Sequence, residues 1–198
     1  MSMSGKKIAV YGIGNPLIDV QANCSEEEIR DFGLEKGTMH LIDSPRNREL
    51  LQTLEEKEKQ YCSGGSCLNT MIAMSHFGTT TAYGGKIGND ELGSIYQQQL
   101  AEQEVMSDLS THSESTGTSI ILVSPDSERT MNTHLGSCRY FSGEDVNYER
   151  LEQASFFYFT GYMWDTESQK DAILKAISHA EASNTRIVFD VADPFAVE

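Results

Sequence analysis

The stretch SGGSCLNTMIAMSHFGTTTAYGGKIGNDELG, residues 63–93, is the part of the sequence that decides the fold. It opens on paired glycines, continues with an apolar segment that Gly78 ends, and then becomes strand-like before a second glycine-rich turn at 84–88. The apolar segment predicts a helix, because three apolar residues are spaced as on one helical face, namely Leu68, Met71 and Ile72. The stretch therefore predicts a hinge, a helix and a ligand-facing turn.

Two kinds of role compete for the residues at the start of this stretch. Gly64 and Gly65 lack a side chain, so their backbone can approach a ligand closely. Asn69 can donate and accept hydrogen bonds at once, which suits the vicinal diol of a sugar better than a phosphate. The commoner roles are structural, since glycine pairs form turns and Ser66 is placed to cap the predicted helix. Taken alone, these residues favour the structural roles.

Near the start of the chain, residues 6–11 predict a core strand that ends at a tight turn, Gly-Ile-Gly-Asn-Pro at 12–16. This turn is not a dinucleotide-binding fingerprint, because Leu17 stands where the third glycine of GxGxxG is required. Residues 17–22 predict another strand. Its Asp19 is a candidate acceptor for sugar hydroxyls, although an exposed carboxylate on an edge strand is the commoner explanation.

The rest of the pattern predicts a doubly wound α/β fold with a mainly parallel sheet. Helices are predicted in four further places: from the capping box at Ser25 to Phe32, from Ser44, and over 94–103 and 167–182. Further strands are predicted at 38–42, 117–124, 129–134, 156–162 and 186–192. We expect strands 156–162 and 186–192 to be buried, and Leu174 to lie on the apolar side of its helix. Strands 17–22 and 38–42 fall outside the alternation, which predicts a small separate sheet.

Composition narrows the class of protein. The chain has 198 residues, 38% of them hydrophobic, and a formal net charge of −15, which opposes binding to nucleic acid or to an anionic membrane. No segment is long and apolar enough to span a membrane, and the first residues lack a signal-peptide pattern, so we expect a cytoplasmic protein. The four cysteines show no metal-binding spacing, which predicts reduced and mostly buried thiols.

Four motifs, taken in order, resemble the ribokinase-like (PfkB) family of sugar and nucleoside kinases, and most of all its adenosine kinase branch. They are GIGNPLID at 12–19, GGSCLN at 64–69, GGKIGNDELG at 84–93 and GTSIILVSPDSERTMNTHLG at 117–136. Each motif alone is weak, but their order and spacing are specific. The resemblance covers essentially all 198 residues and implies a ribokinase-like fold with a small β-sheet lid, formed by strands near 17–22, 38–42 and 117–134.

The resemblance also implies an activity and a set of site residues. Members of the family transfer the γ-phosphoryl group of ATP, with Mg²⁺, to a primary hydroxyl of a nucleoside or sugar. By this likeness, Asp19 and Asn69 hold the ribose hydroxyls, Asn15 supports Asp19, and Gly64 and Gly65 form the lid hinge. Apolar surface for the substrate is implied at Leu17, Met39 and Leu41, with Tyr162 stacking on a purine. An aromatic residue at a strand end is, however, more often part of the core.

One expected motif does not occur in this sequence. Kinases of this family carry a GAGD-like segment whose Asp is the catalytic base, and no GAGD is found among the 198 residues. The resemblance therefore implies that residues 1–198 form the N-terminal portion of such a kinase, without a catalytic residue and without most of the ATP site. Adenosine is the leading substrate, and other nucleosides or sugars stay open. The alternative is a non-catalytic nucleoside- or sugar-binding module, and either a monomer or a homodimer is compatible with the sequence.

Overall fold

The computed structural model describes residues 6–192, whose strands form two five-stranded sheets. In chain order the strands are β1 (Ile8–Ile13), β2 (Leu17–Asn23), β3 (Met39–Leu41), β4 (Lys59–Gly64), β5 (Thr81–Gly88), β6 (Met106–His112), β7 (Gly117–Val123), β8 (Arg129–His134), β9 (Ala154–Thr160) and β10 (Arg186–Asp190). The helices are α1 (Glu26–Asp31), α2 (Ser44–Thr53), α3 (Ser66–His76), α4 (Glu91–Ala101), α5 (Tyr148–Gln153) and α6 (Glu167–Ala182). The first five residues and the end of the chain, 193–198, lie outside the described residues.

One sheet, the parallel sheet, has the order β10-β9-β1-β5-β6, and all its pairs are parallel. Hydrophobic clusters lie on both of its faces. Val10 of β1 packs with Leu68 and Met71 of α3 in one cluster, whereas Ile13 packs with Ile173 of α6 in the other. Because successive side chains of a strand point to opposite faces, β1 contributes to both clusters. This arrangement confirms the predicted doubly wound α/β fold.

The other sheet, the mixed sheet, has the order β3-β8-β7-β2-β4 and combines parallel and antiparallel pairs. One face is covered by short helices, since Ile18 and Val20 of β2 pack in one cluster with Ile29 of α1 and Leu50 of α2. The alternate residues of β2 are only half-buried and form the opposite, inner face. Strands 17–22 and 38–42 thus belong to one separate sheet, in which β7 and β8 lie between them.

The predicted glycine-rich turn at 84–88 was wrong, because these residues form the second half of β5. The glycines are needed for close packing instead of a turn. A side chain at Gly85 would come 2.5 Å from the Cγ atom of Pro16, and one at Gly88 would collide with the backbone nitrogen of Thr116. The backbone nitrogen of Gly88 also donates to Thr116 Oγ1 at 2.9 Å. The interpretation of this segment as ligand-facing is therefore replaced by a packing role.

Two predicted helix starts also need correction. The helix predicted at 94–103 begins at Glu91, because the side chain of Asp90 caps it by accepting from the backbone nitrogen of Gly93 at 2.8 Å. Ser66 is the first residue of α3 and not its cap, since Gly65 takes the N-cap position with no side-chain bond. By contrast, the capping box at Ser25 and the bounds of helix 167–182 are confirmed.

Strand β10 and one residue of α6 are more exposed than predicted. Strand β10 is an exposed edge strand, shorter than the predicted 186–192, and its Phe189 is 47% exposed. Leu174, expected on the apolar side of α6, is 53% exposed. Helical spacing identified the other apolar residues of α6 correctly, but Leu174 sits at the margin of that stripe. Periodicity indicates which residues share a face and does not show whether anything covers it.

Helix α4 holds the end of β4, where the chain passes from the mixed sheet to α3. Gln99 donates from Nε2 to the carbonyl oxygen of Tyr61 at 2.9 Å and accepts from the backbone nitrogen of Ser63 at 2.5 Å. Tyr96 donates from its hydroxyl to the carbonyl oxygen of Gly64 at 3.1 Å. These bonds attach the strand before the paired glycines to the helix that packs beside it.

We expect Gln99→Ala to lower the free energy of unfolding by about 1–2 kcal/mol, because it leaves the polar backbone groups of two residues without their partner. Urea denaturation of the 198-residue chain measures this loss. Gln99→Glu retains the acceptor for Ser63 but sets a carboxylate oxygen against the carbonyl oxygen of Tyr61, so it should not recover the stability lost in Gln99→Ala. Full stability in Gln99→Glu would contradict the bond to Tyr61.

Candidate substrate-binding site

A cavity of about 570 Å³ lies between the inner face of the mixed sheet and the carboxyl ends of β1 and β9. Crevices at the carboxyl ends of parallel strands are the usual ligand sites of such folds. All the site residues predicted from the sequence line it except Gly64, namely Asn15, Leu17, Asp19, Met39, Leu41, Gly65, Asn69 and Tyr162. They come from four separate segments of the chain, which the fold brings together.

Asp19 lies on the inner face of β2, opposite Cys62 of β4 and Ser119 of β7. Gly64 leaves room for it, because a side chain there would come 2.8 Å from Asp19 Oδ2. Burial raises the pKa of the Asp19 carboxyl, and the positive charge of Arg129 opposes that rise. Within residues 6–192, no donor is hydrogen-bonded to this carboxylate, so both oxygens are available to a ligand.

Asn15 follows β1, and its hydrogen bonds run away from Asp19. Its Nδ2 donates to the carbonyl oxygen of Tyr162 at 3.1 Å, and its Oδ1 accepts from Gln169 Nε2 at 2.9 Å. Gln169 is fully buried and also donates to the carbonyl oxygen of Cys138 at 2.9 Å. The expected support of Asp19 by Asn15 is thus corrected, since Asn15 positions the segment that contains Tyr162.

Gly64 and Gly65 connect β4 to α3, and Gly65 has φ +110°, a conformation that side chains rarely tolerate. A side chain at Gly65 would also collide with the carbonyl oxygen of Asn15. Asn69 lies in the first turn of α3, where its backbone nitrogen donates to the carbonyl oxygen of Gly65 at 2.9 Å and its side chain is exposed. The first amides of α3 have no helical partner and point toward the cavity end of the helix.

Further residues that line the cavity were not singled out from the sequence. They are Ser66, Cys67, Ser119, Met131, Thr133, Leu135, Thr160 and Asp165. Alternation along β8 was a usable signal, because Met131 and Thr133 share the face opposite to buried Asn132. No local signal indicated Asp165, which is exposed only in part and forms an ion pair with Arg139 at 2.9 Å.

The cavity combines a carboxylate, a side-chain amide and the first backbone N–H groups of α3 with an apolar wall. Such a set suits a ligand with hydroxyls at one end and a flat apolar part at the other. Among residues 6–192, no group of three or more His, Cys, Asp or Glu side chains is placed to hold a metal ion. None of the helices described has the length and apolar character needed to cross a bilayer.

Comparison with known proteins identifies the family of this chain. The model of the pfkB family of carbohydrate kinases matches residues 38–197, most of the chain. The chain belongs to the pfkB family. This confirms the resemblance on which the sequence analysis relied, and the motif GGSCLN at 64–69 falls within the matched range.

Two kinases of the family are similar to this chain over nearly its whole length. Adenosine kinase of Saccharomyces cerevisiae is 24% identical over 192 residues, which cover 92% of this chain and 56% of that protein. Guanosine-inosine kinase of Escherichia coli K12 is 25% identical, over 95% of this chain and 46% of that protein. The chain therefore spans about half the length of these relatives.

Solved structures agree on the fold. The adenosine kinase of Sinorhizobium meliloti is 34% identical, with a TM-score of 0.84 over 96% of this chain and 58% of that one. The probable sugar kinase of Rhizobium etli CFN 42 is 32% identical, with a TM-score of 0.86 over 97% of this chain and 58% of that one. The predicted ribokinase-like fold class is confirmed by these likenesses.

Proposed function

We propose that this pfkB family chain supplies the substrate-binding half of a kinase that phosphorylates the primary hydroxyl of a nucleoside, with adenosine as the leading substrate and ATP as the donor. The observation that carries the proposal is the convergence of Asp19, Gly65 and Asn69 on one cavity with an apolar wall. The similarity to adenosine and guanosine-inosine kinases supports a nucleoside over a free sugar.

In this proposal the polar end of the cavity holds the ribose. Asp19 accepts hydrogen bonds from the two vicinal hydroxyls, and the amide of Asn69 completes the contact. The backbone at Gly65 approaches the sugar closely because no side chain intervenes. These contacts fix the orientation of the sugar, so that its primary hydroxyl is presented for phosphoryl transfer.

The apolar end holds the base. Leu17, Met39 and Leu41 line the cavity from the mixed sheet, and Tyr162 lines it from the turn that follows β9. Met39 and Leu41 are 44% and 64% exposed, so a base between the two sheets removes apolar surface from water on both sides. We propose that the mixed sheet acts as a lid that turns about Gly64 and Gly65, which excludes water from the transfer step.

ATP and Mg²⁺ enter the proposal as co-substrate and its ion. The described residues include no cluster suited to a metal, and GAGD is absent from the sequence. We therefore assign neither the catalytic base nor the magnesium site to residues 6–192. When ATP is bound, it supplies the phosphoryl group, and the role of these residues is to bind and orient its acceptor.

A non-catalytic nucleoside- or sugar-binding module is the second candidate. The observation that favours it is that the proposed ligand contacts line one cavity within the described residues, to which no catalytic base is assigned. The two candidates differ when a GAGD-containing segment is joined to these residues, since the kinase then consumes ATP and the module never does.

Calorimetric titration of the 198-residue chain with adenosine tests the binding half of the proposal, and a coupled assay of ATP consumption tests the reaction. We expect saturable binding with one site per chain. Binding without ATP turnover is what both candidates predict for these 198 residues, whereas ATP turnover would overturn the non-catalytic module. Absence of binding by adenosine, inosine and guanosine, with binding of a pentose in a thermal-shift screen, would overturn the nucleoside assignment in favour of a sugar.

The pKa of Asp19 predicts how binding depends on pH. Only the ionised carboxylate can accept from both hydroxyls, and burial raises the pKa above its ordinary value. Affinity for adenosine should therefore be constant well above that raised pKa and fall as the pH is lowered through it, with protons released on binding within that window. Calorimetry from about pH 4 to about pH 8, in two buffers of different ionisation enthalpy, measures both effects. A constant affinity over the whole range would contradict the role of Asp19.

Cellular location and assembly stay predictions. The expected cytoplasmic location rests on the sequence pattern alone. The net charge of −15 is the reason to expect neither nucleic acid nor an anionic membrane as a partner. Sedimentation of the purified chain would decide between the monomer and the homodimer.

A further inference from the structure

A row of polar side chains crosses the inner face of the mixed sheet. Asp19 of β2 lies opposite Ser119 of β7, and Ser119 lies opposite Thr133 of β8. All three line the cavity. The hydroxyl of Thr133 donates to that of Ser119 at 3.4 Å, a long bond that either hydroxyl can exchange for a ligand.

In the neighbouring rows on the same face, the residues that line the cavity are apolar. Leu17 and Leu135 line the cavity on one side of the polar row, and Met131 and Met39 line it on the other. The row ends at Leu41 of β3, which lies opposite Thr133 of β8. Within the described residues, Asp19, Ser119 and Thr133 are thus the polar side chains that the mixed sheet presents to the cavity. Two hydroxyls in an apolar wall indicate a contact with a polar group of the ligand.

The spacing of the row matches the proposed ligand. Neighbouring strands lie about 4.8 Å apart, so the step from Asp19 through Ser119 to Thr133 spans roughly 10 Å. This length is comparable with that of a nucleoside from its ribose diol to the far edge of its base. If Asp19 holds the diol, as in the proposed function on which this inference rests, the two hydroxyls lie along the base.

We propose that Ser119 and Thr133 recognise the polar edge of the nucleobase and determine which bases are accepted. A hydroxyl can donate to a carbonyl oxygen or accept from an amino group, so the pair serves both 6-oxo and 6-amino purines. A phosphate is not the occupant that the site suits, because no Lys or Arg from residues 6–192 lines the cavity. The pair therefore favours purines that carry a polar group at position 6 over those that lack one, while Asp19 acts on every nucleoside alike.

The test compares three nucleosides on the 198-residue chain by calorimetry: adenosine, inosine and purine riboside, which lacks a substituent at position 6. The variants are Ser119→Ala, Thr133→Val and their combination, all of which preserve shape closely. We expect the double variant to bind adenosine and inosine about 10-fold more weakly and purine riboside within about 2-fold of the unchanged chain. Equal effects on all three nucleosides, or no effect on any, would overturn the proposal.

Thr118→Val is the matched control. Thr118 is the residue before Ser119, faces the other side of the sheet and donates to Asn47 Oδ1 at 2.8 Å. Its loss should lower stability and leave the ratio of the three affinities unchanged. An unchanged chain that binds none of the nucleosides would overturn the proposed function and this inference together. If the unchanged chain binds all three nucleosides and the double variant binds them with the same affinities, only the inference is overturned.

Discussion

Replacing Asp19 with alanine should weaken adenosine binding to the 198-residue chain by about 2–4 kcal/mol, the largest effect on affinity that we expect from one side chain. The carboxylate is half-buried on β2, and Gly64 is positioned so that no side chain obstructs Oδ2. In the proposed complex it accepts from two ribose hydroxyls at once. Its removal leaves both hydroxyls without a charged acceptor in a site from which the proposed lid excludes water. Calorimetry measures the change in dissociation constant.

Two controls separate a lost contact from a damaged fold. Asp171→Ala removes a carboxylate that is 58% exposed on α6 and pairs with Lys175, so it should leave adenosine affinity unchanged. The second control uses 2′,3′-dideoxyadenosine, which has no vicinal diol. The loss caused by Asp19→Ala should nearly vanish with this ligand, because the hydroxyls that the carboxylate binds are absent. An equal loss with both ligands would show that Asp19 acts on stability and not on the diol.

Gly65→Ala should have the largest effect on the fold, lowering the free energy of unfolding by about 2–4 kcal/mol. Two costs combine at this position. Gly65 has φ +110°, which strains any other residue, and the added methyl group would collide with the carbonyl oxygen of Asn15. That collision displaces the start of α3 from the turn after β1, so adenosine binding should be lost as well. Urea denaturation and calorimetry measure the two losses.

Gly78→Ala is the matched control for the backbone strain. Gly78 has φ +80°, and a side chain there would meet no atom within 4 Å. Only the conformational cost applies, so we expect a loss of about 1 kcal/mol in stability and no change in affinity. If Gly65→Ala and Gly78→Ala lower the free energy of unfolding equally, the collision with Asn15 adds no cost to the backbone strain.

Local patterns predicted several elements well because their causes are local. The capping box at Ser25 satisfies amides within a single turn, and the bounds of α6 follow from the apolar spacing of sixteen residues in one segment. Strands β4 and β6 escaped prediction because their residues are largely polar. Their pairing depends on neighbours that are distant in the chain, and no pattern inside the two strands records those neighbours.

The candidate site also combines residues that the sequence identified with contacts that depend on distant parts of the chain. The motifs selected residues 15, 17, 19, 65 and 69, and the implied lid and strand end added 39, 41 and 162, all of which line one cavity. Their roles as ligand contacts stay predictions. The sequence misjudged the partner of Asn15, because its hydrogen bonds to Tyr162 and Gln169 join segments about 150 residues apart.

The sequence alone was sufficient for the family, the doubly wound fold and the identity of half of the residues that line the cavity, because these follow from residue types at short spacings along the chain. The alignment of Asp19, Ser119 and Thr133 in one row required the folded sheet. So did the close packing of Gly85 against Pro16 and the exposure of β10. The physical reason is that strand register and burial depend on which distant segment lies alongside, and that is established only when the two sheets pack.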